Sequence, residues 1–159
     1  MIEIKTFGPG YFLKINESQF YIDPPQLNDN SYIILTQNKP EANRNTIFEA
    51  PGEYEVENIY IKSIAKNNEK AFLFYNDFSL LFAREVLEDL YKEIKNQAKD
   101  LDIVFVTNLR NPEKWHKDFN CKVFISETSI NLPKFNIIKE KSFKINPRRL
   151  EHIICQIIK

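Results

Sequence analysis

Residues 35–42 read LTQNKPEA and follow the apolar run Tyr32-Ile33-Ile34-Leu35. A buried strand that ends near a Thr and breaks into short polar residues and a proline is a common place for chemistry, because a rigid strand positions the loop. The side chains on offer are Gln37, Asn38, Lys39 and Glu41, without His, Cys or Asp. Such a loop does chemistry, once did chemistry, or only turns the chain.

Other reactive groups are sparse. His116 sits beside Trp115 in a short predicted helix, and His152 lies on the polar side of a predicted final helix; each reads as a surface or helix-packing residue. Cys121 and Cys155 form neither a disulfide framework nor a CxxC metal knuckle and read as reduced thiols in or near the core. Neither has a His beside it in sequence, which weakens a Cys–His nucleophile. With only Gly8, Gly10 and Gly52, the chain has no phosphate-cradling loop. Gly8-Pro9-Gly10 reads as a turn at a strand start, and Pro51-Gly52 as a type II turn.

The elements that must position these groups change character midway. Short runs rich in β-branched and aromatic residues predict strands at 2–5, 11–15, 20–22, 32–36, 46–48, 54–56, 59–64, 71–75 and 78–82. Asn67-Asn68 and Asn76-Asp77 look like hairpin turns between them. Val86, Leu87, Leu90, Tyr91 and Ile94 then fall at helical spacing. Leu101 to Val106, Val123 to Ile125 and Phe135 to Ile138 read as further strands. Asn111-Pro112 and Asn146-Pro147 read as cap and first-turn pairs opening two more helices. Leu150, Ile153, Ile154, Ile157 and Ile158 then form one apolar stripe on the last helix, expected to pack on the sheet or to serve between chains. Predicted helices therefore span 86–98, 111–118 and 147–158, outside packed sheets: an α+β chain.

At 159 residues the chain suits one domain, 1–159. Its 43% hydrophobic and 28% charged residues exclude a disordered chain. A net charge of zero disfavours nucleic acid as a partner, the Arg148-Arg149 pair notwithstanding. MIEIKTFGPG lacks a signal-peptide pattern and no apolar run approaches the roughly 20 residues of a membrane span. The expectation is a soluble cytoplasmic protein with no membrane partner.

Four segments in order resemble the metallo-β-lactamase superfamily, in particular its small bacterial branch of metal-dependent hydrolases. Phe7-Gly8-Pro9-Gly10-Tyr11 through Phe20-Tyr21-Ile22-Asp23-Pro24 is similar to that branch's first hairpin and following Ile-Asp-Pro. Ala50-Pro51-Gly52-Glu53-Tyr54-Glu55 resembles its Pro-Gly-Glu-Tyr-Glu strand, and Leu101-Asp102-Ile103-Val104 a later strand beginning Ile-Asp-Val. The resemblance implies a shortened αββα sandwich, two β-sheets face to face with helices outside.

It also implies what the 35–42 loop was. In the superfamily a strand ending in Thr leads into His-x-His-x-Asp-His. Here Gln37 and Lys39 stand at the first two His positions, Glu41 at the Asp and Ala42 at the last His. Phe82 and Glu85 replace the His and Asp of a second motif, and Glu127 follows the late strand where the last His belongs. Amide, ammonium and methyl groups are poor substitutes for imidazole nitrogens around zinc or iron. The pattern implies a vestigial pocket of Asp23, Gln37, Lys39, Glu41, Phe82, Glu85 and Glu127, with no metal cofactor and no catalytic residue. Lys39 is expected to pair with Glu41, Glu85 or Asp23. The alternative is a rebuilt oxygen-rich site for magnesium or manganese at Glu41, Glu85 and Glu127. The implied function is a catalytically inactive binding or assembly module, partnered by a second copy or an active relative of the same fold. Leu150, Ile154, Ile157 and Ile158 are its candidate interaction face; a hydrolase or a nucleic-acid-associated protein are the competing classes.

Overall fold

In the computed structural model, which describes residues 1–26, 32–36, 47–48 and 51–159, alternating side chains in the first half produce strands with one face inward. These are β1 (Ile2–Phe7), β2 (Gly10–Ile15), β3 (Ser18–Ile22), β4 (Tyr32–Ile34) and β5 (Ile47–Phe48). Next come β6 (Gly52–Val56), β7 (Ile59–Lys66), β8 (Glu69–Tyr75) and β9 (Ser79–Ala83). The turns are local chemistry. Asn67 and Asn68 take φ of 52° and 65°, the left-handed pair that a two-residue hairpin needs and asparagine tolerates. Asn76 folds its side chain back to accept from the Asp77 amide at 2.8 Å.

The second half alternates. Helix α1 (Glu88–Gln97) joins β9 to β10 (Ile103–Val106), and α2 (Pro112–Phe119) joins β10 to β11 (Val123–Ser126). The last strands are β12 (Asn136–Glu140), β13 (Ser142–Ile145) and β14 (Ile153–Ile157). Pro112 occupies the first turn of α2 as expected, although the Asn111 side chain caps nothing; Asn120, left-handed at φ 54°, ends the helix.

Two sheets result, ordered β13-β1-β2-β3-β4-β5 and β12-β14-β11-β10-β9-β8-β7-β6. Between them lies one core, built from inward residues such as Leu13, Phe20, Phe72, Phe82, Phe105, Ile125 and Ile157. A second core covers the outer face of the larger sheet, where Leu90, Tyr91 and Ile94 of α1 and Trp115 and Phe119 of α2 meet Leu81, Val104, Phe124 and Ile154. Buried on both faces, β9, β10 and β11 are continuous apolar runs rather than alternating ones.

The predicted helix 147–158 is absent. Asn146 instead starts a turn, its side chain accepting from the Arg148 amide at 3.0 Å and its carbonyl from the Arg149 amide at 3.0 Å. Residues 153–157 enter the large sheet as β14, parallel to both β11 and β12. Ile154 faces the helices while Cys155 and Ile157 face the other sheet. Leu150, Ile154, Ile157 and Ile158 therefore do not share one face. The four isoleucines and Leu150 fit both periods, and burial between two strands selects the β-branched extended form.

One residue, Lys141, separates β12 in the large sheet from β13, which crosses to pair with β1, Ile2 opposite Ile145. Deleting residues after Asn146 removes β14 from between β11 and β12, so circular dichroism should show an unfolded chain; a folded truncated species would contradict this packing. At Gly10 a Cβ would lie 1.8 Å from the Ile22 carbonyl oxygen. Gly10→Ala should therefore cost more than about 2 kcal/mol in chemical denaturation.

Candidate functional site

Strands β9, β10, β11 and β14 run parallel, so their carboxyl ends reach the same edge of the sandwich, a favoured place for sites in parallel sheets. Arg84 follows β9, Thr107 follows β10, Glu127 follows β11 and Lys159 lies just beyond β14. The smaller sheet brings the Gly8-Pro9 turn, Tyr11 at the start of β2, Asp23 after β3 and Thr36 after β4.

These groups bond to one another. Asp23, left-handed at φ 46°, accepts from the Thr36 amide at 2.9 Å and the Thr36 hydroxyl at 2.5 Å. Its Oδ2 also takes the Nε–H of Arg84 at 2.7 Å. Arg84 donates a second bond to the Pro9 carbonyl at 3.1 Å. Lys159 donates to the same carbonyl at 3.1 Å and lies 3.5 Å from the Glu127 carboxylate. Glu127 accepts in addition from the Tyr11 hydroxyl, which lies 3.4 Å from the Thr107 hydroxyl. The Arg84 guanidinium and the Lys159 ammonium lie 5.8 and 5.3 Å from the Tyr11 ring centre, within cation–π range. Burial, then the bond to Glu127, pushes the Tyr11 phenol well above its usual range, so it stays a neutral donor.

Beneath this network the fully buried Ser126 donates to the Thr107 carbonyl at 3.0 Å and accepts from the amides of Leu109 and Thr128 at 3.3 and 3.2 Å. The ends of β10 and β11 are thereby locked in register.

The described members of the expected pocket separate into three environments. Asp23 and Glu127 reach the network. Phe82 is fully buried in the core, edge-on to Tyr11 and Phe105. Glu85 turns to the other side, 3.4 Å from Arg110. Gln37, Lys39 and Glu41 lie outside the described residues; the cation that meets Asp23 among those described is Arg84. Tyr11, Thr107 and Lys159 were not anticipated from the sequence. A tyrosine in an otherwise apolar strand needs a partner for its hydroxyl, and each polar residue just after a buried parallel strand is a candidate for it.

The described residues do not fit a bound metal. Among them, no group of three or more His, Cys, Asp or Glu side chains is placed to hold one. The available carboxylates already accept from Arg84, Thr36, Tyr11 and Lys159, and two fixed positive charges oppose a dication. Both histidines lie at the opposite edge, against Phe135. Nor do the thiols supply a nucleophile: burial pushes Cys155 up to about 11 and Cys121 higher still.

An open cleft of about 410 Å³ lies nearby, between the amino ends of α1 and α2. Tyr91, Trp115 and Leu109 line its apolar part, with Asn108, Arg110 and Lys114 among its polar residues. Lys114 sits 4.4 Å from the Tyr91 ring centre. No helix among the described residues is long and apolar enough to cross a membrane.

No protein-family model matches the sequence, and no curated protein matches it. Solved structures do. A candidate zinc-dependent hydrolase of the metallo-β-lactamase superfamily from Thermotoga maritima aligns with 98% of this chain and 99% of its own, at TM-score 0.69 and 13% identity. A candidate metal-dependent hydrolase from Parabacteroides distasonis aligns with 79% of this chain and 81% of its own, at TM-score 0.53 and 12% identity. CmlA, a diiron β-hydroxylase from Streptomyces venezuelae, aligns with 79% of this chain but 44% of its own, at TM-score 0.52 and 8% identity. Two facing sheets, parallel strands ending at one edge and the end-to-end alignment with the Thermotoga maritima protein lead to one conclusion: the chain has the fold of the metallo-β-lactamase superfamily.

Proposed function

We propose that this chain uses the sandwich of the metal-dependent hydrolases as a binding or assembly module and performs no metal-dependent hydrolysis itself. One observation carries the reading. At the edge where the parallel strands end, Asp23 and Glu127 are neutralised by Arg84 and Lys159, so protein cations occupy the electrostatic role that a metal would fill. A carboxylate already bonded to a guanidinium and two further donors has little left to offer an ion.

The assembly part of the proposal is a homodimer formed through β12. This strand is an edge of the large sheet and, among the described residues, pairs with β14 alone. Ile137 on it is 47% exposed and Ile158 beside it 42%. An uncovered strand edge with an apolar side chain invites a further strand, and a second copy would supply an identical one.

Metal analysis of protein purified without chelator should find no stoichiometric zinc, iron or manganese; finding one would overturn the non-hydrolytic reading. Arg84→Met should destabilise by about 1–3 kcal/mol, since it leaves Asp23 partly buried and unpaired. That loss should be the same in EDTA and in manganese, whereas a masked metal site would be rescued by manganese. Light scattering should give a dimer for the wild-type chain and a monomer for Ile137→Lys. A monomeric wild type sinks the homodimer without touching the argument about the metal.

A further inference from the structure

At the amino ends of β11, β12 and β14, opposite the Asp23–Arg84 edge, two histidines distant in sequence come together. The His116 and His152 rings lie 5.8 Å apart and nearly perpendicular at 87°. Both pack on Phe135, at 5.2 and 4.8 Å between ring centres. His116 is oriented by its Nδ1, 3.0 Å from the Cys121 carbonyl. A carbonyl can only accept, so Nδ1 is the donor in this contact.

The charges acting on His152 are all positive. His116 comes from α2, Lys122 from the turn before β11 and Lys134 from the turn before β12. Among the described residues neither ammonium forms an ion pair. In a chain of zero net charge, elsewhere laced with ion pairs, these two lysines and two imidazoles from four segments form no ion pair among the described residues. Two imidazoles in contact can also bridge a transition metal, but here the neighbouring ammonium groups repel a dication. An anion is attracted by every one of them.

We propose that His116, His152, Lys122 and Lys134 form a site for a small tetrahedral oxyanion, of the phosphate or sulfate type, that fills as the imidazoles take up protons. The doubly protonated pair would present N–H donors and two ammonium groups to one anion, the charge-assisted bonding that such ions favour. The site is independent of the reading of the opposite edge.

Linkage sets the direction of the pH response. Partial burial first, then Lys122, His116 and Lys134, hold His152 below its ordinary value of 6.5. The unfolded chain therefore takes the proton first, and stability that is complete above pH 6.5 falls as pH drops through the lower folded-state midpoint. An anion that binds the protonated pair raises that midpoint and restores stability.

Sulfate is the probe, because it stays a dianion across the range and only the protein titrates. Imidazole proton resonances followed by NMR from pH 5 to 8, in sulfate and in chloride at matched ionic strength, report both midpoints. Sulfate should raise both, and its affinity should fall by up to about tenfold per pH unit for each linked proton. Lys122→Gln combined with Lys134→Gln, both outside the cores, should weaken sulfate several-fold while leaving the melting temperature at pH 8 unchanged. Equal midpoints in the two salts, or undiminished sulfate binding by the double variant, would overturn the proposal. So would zinc shifting both imidazoles while sulfate shifts neither.

Discussion

A sheet whose parallel strands all end at one edge gathers carbonyl oxygens and side-chain carboxylates there, and that negative charge has to be met by something positive. In this chain the answer is internal. Arg84 joins Asp23 and the Pro9 carbonyl, and Lys159 joins Glu127 and that same carbonyl. Because Arg84 and Lys159 follow strands of the large sheet while Asp23 and Pro9 belong to the small one, the bonds to Asp23 and Pro9 also hold the two halves of the sandwich together at their mouth. The Tyr11 ring lies between the two cations and its hydroxyl completes the connection to the large sheet.

That edge tolerates little change in backbone because it is built on close approach. Gly10 passes so near the Ile22 and Asp23 carbonyls that no side chain fits, and Asp23 itself is held left-handed by the bonds it receives. The positions that carry the network are thus fixed from below by β2 pairing with β3 and from the side by the Ser126 hydroxyl. The network's geometry is a property of the fold more than of its own side chains.

The strands of the first half and both described helices were legible because their signals are local: alternation, asparagine turns, and a change to helical spacing after residue 84. The final segment was not, since apolar residues at 150, 153, 154, 157 and 158 satisfy a helix as well as a strand. Only the presence of β11 and β12 on either side settles the matter. Strand β13 escaped notice because Phe143 and Ile145 alternate with Ser142 and Lys144 over too few residues to stand out. Of the site, Asp23 and Glu127 could be named from motif position. Lys159 and Tyr11 could not, because they reach these carboxylates through strand order, which no short stretch of sequence encodes.

The hop from β12 to β13 across the single residue Lys141 has a further consequence during synthesis. The edge of β1 is completed by β13, and the edge of β11 by β14. Residues 2–7 pair with β2 and residues 123–126 with β10 early, but the second edge of each must wait for residues 142–157 to leave the ribosome. Until then the nascent chain carries open strand edges on both sheets at once, the condition under which a β-rich protein is most exposed to pairing with the wrong neighbour. Closure then comes late and to both sheets together, which favours a chain that is folded throughout or nowhere.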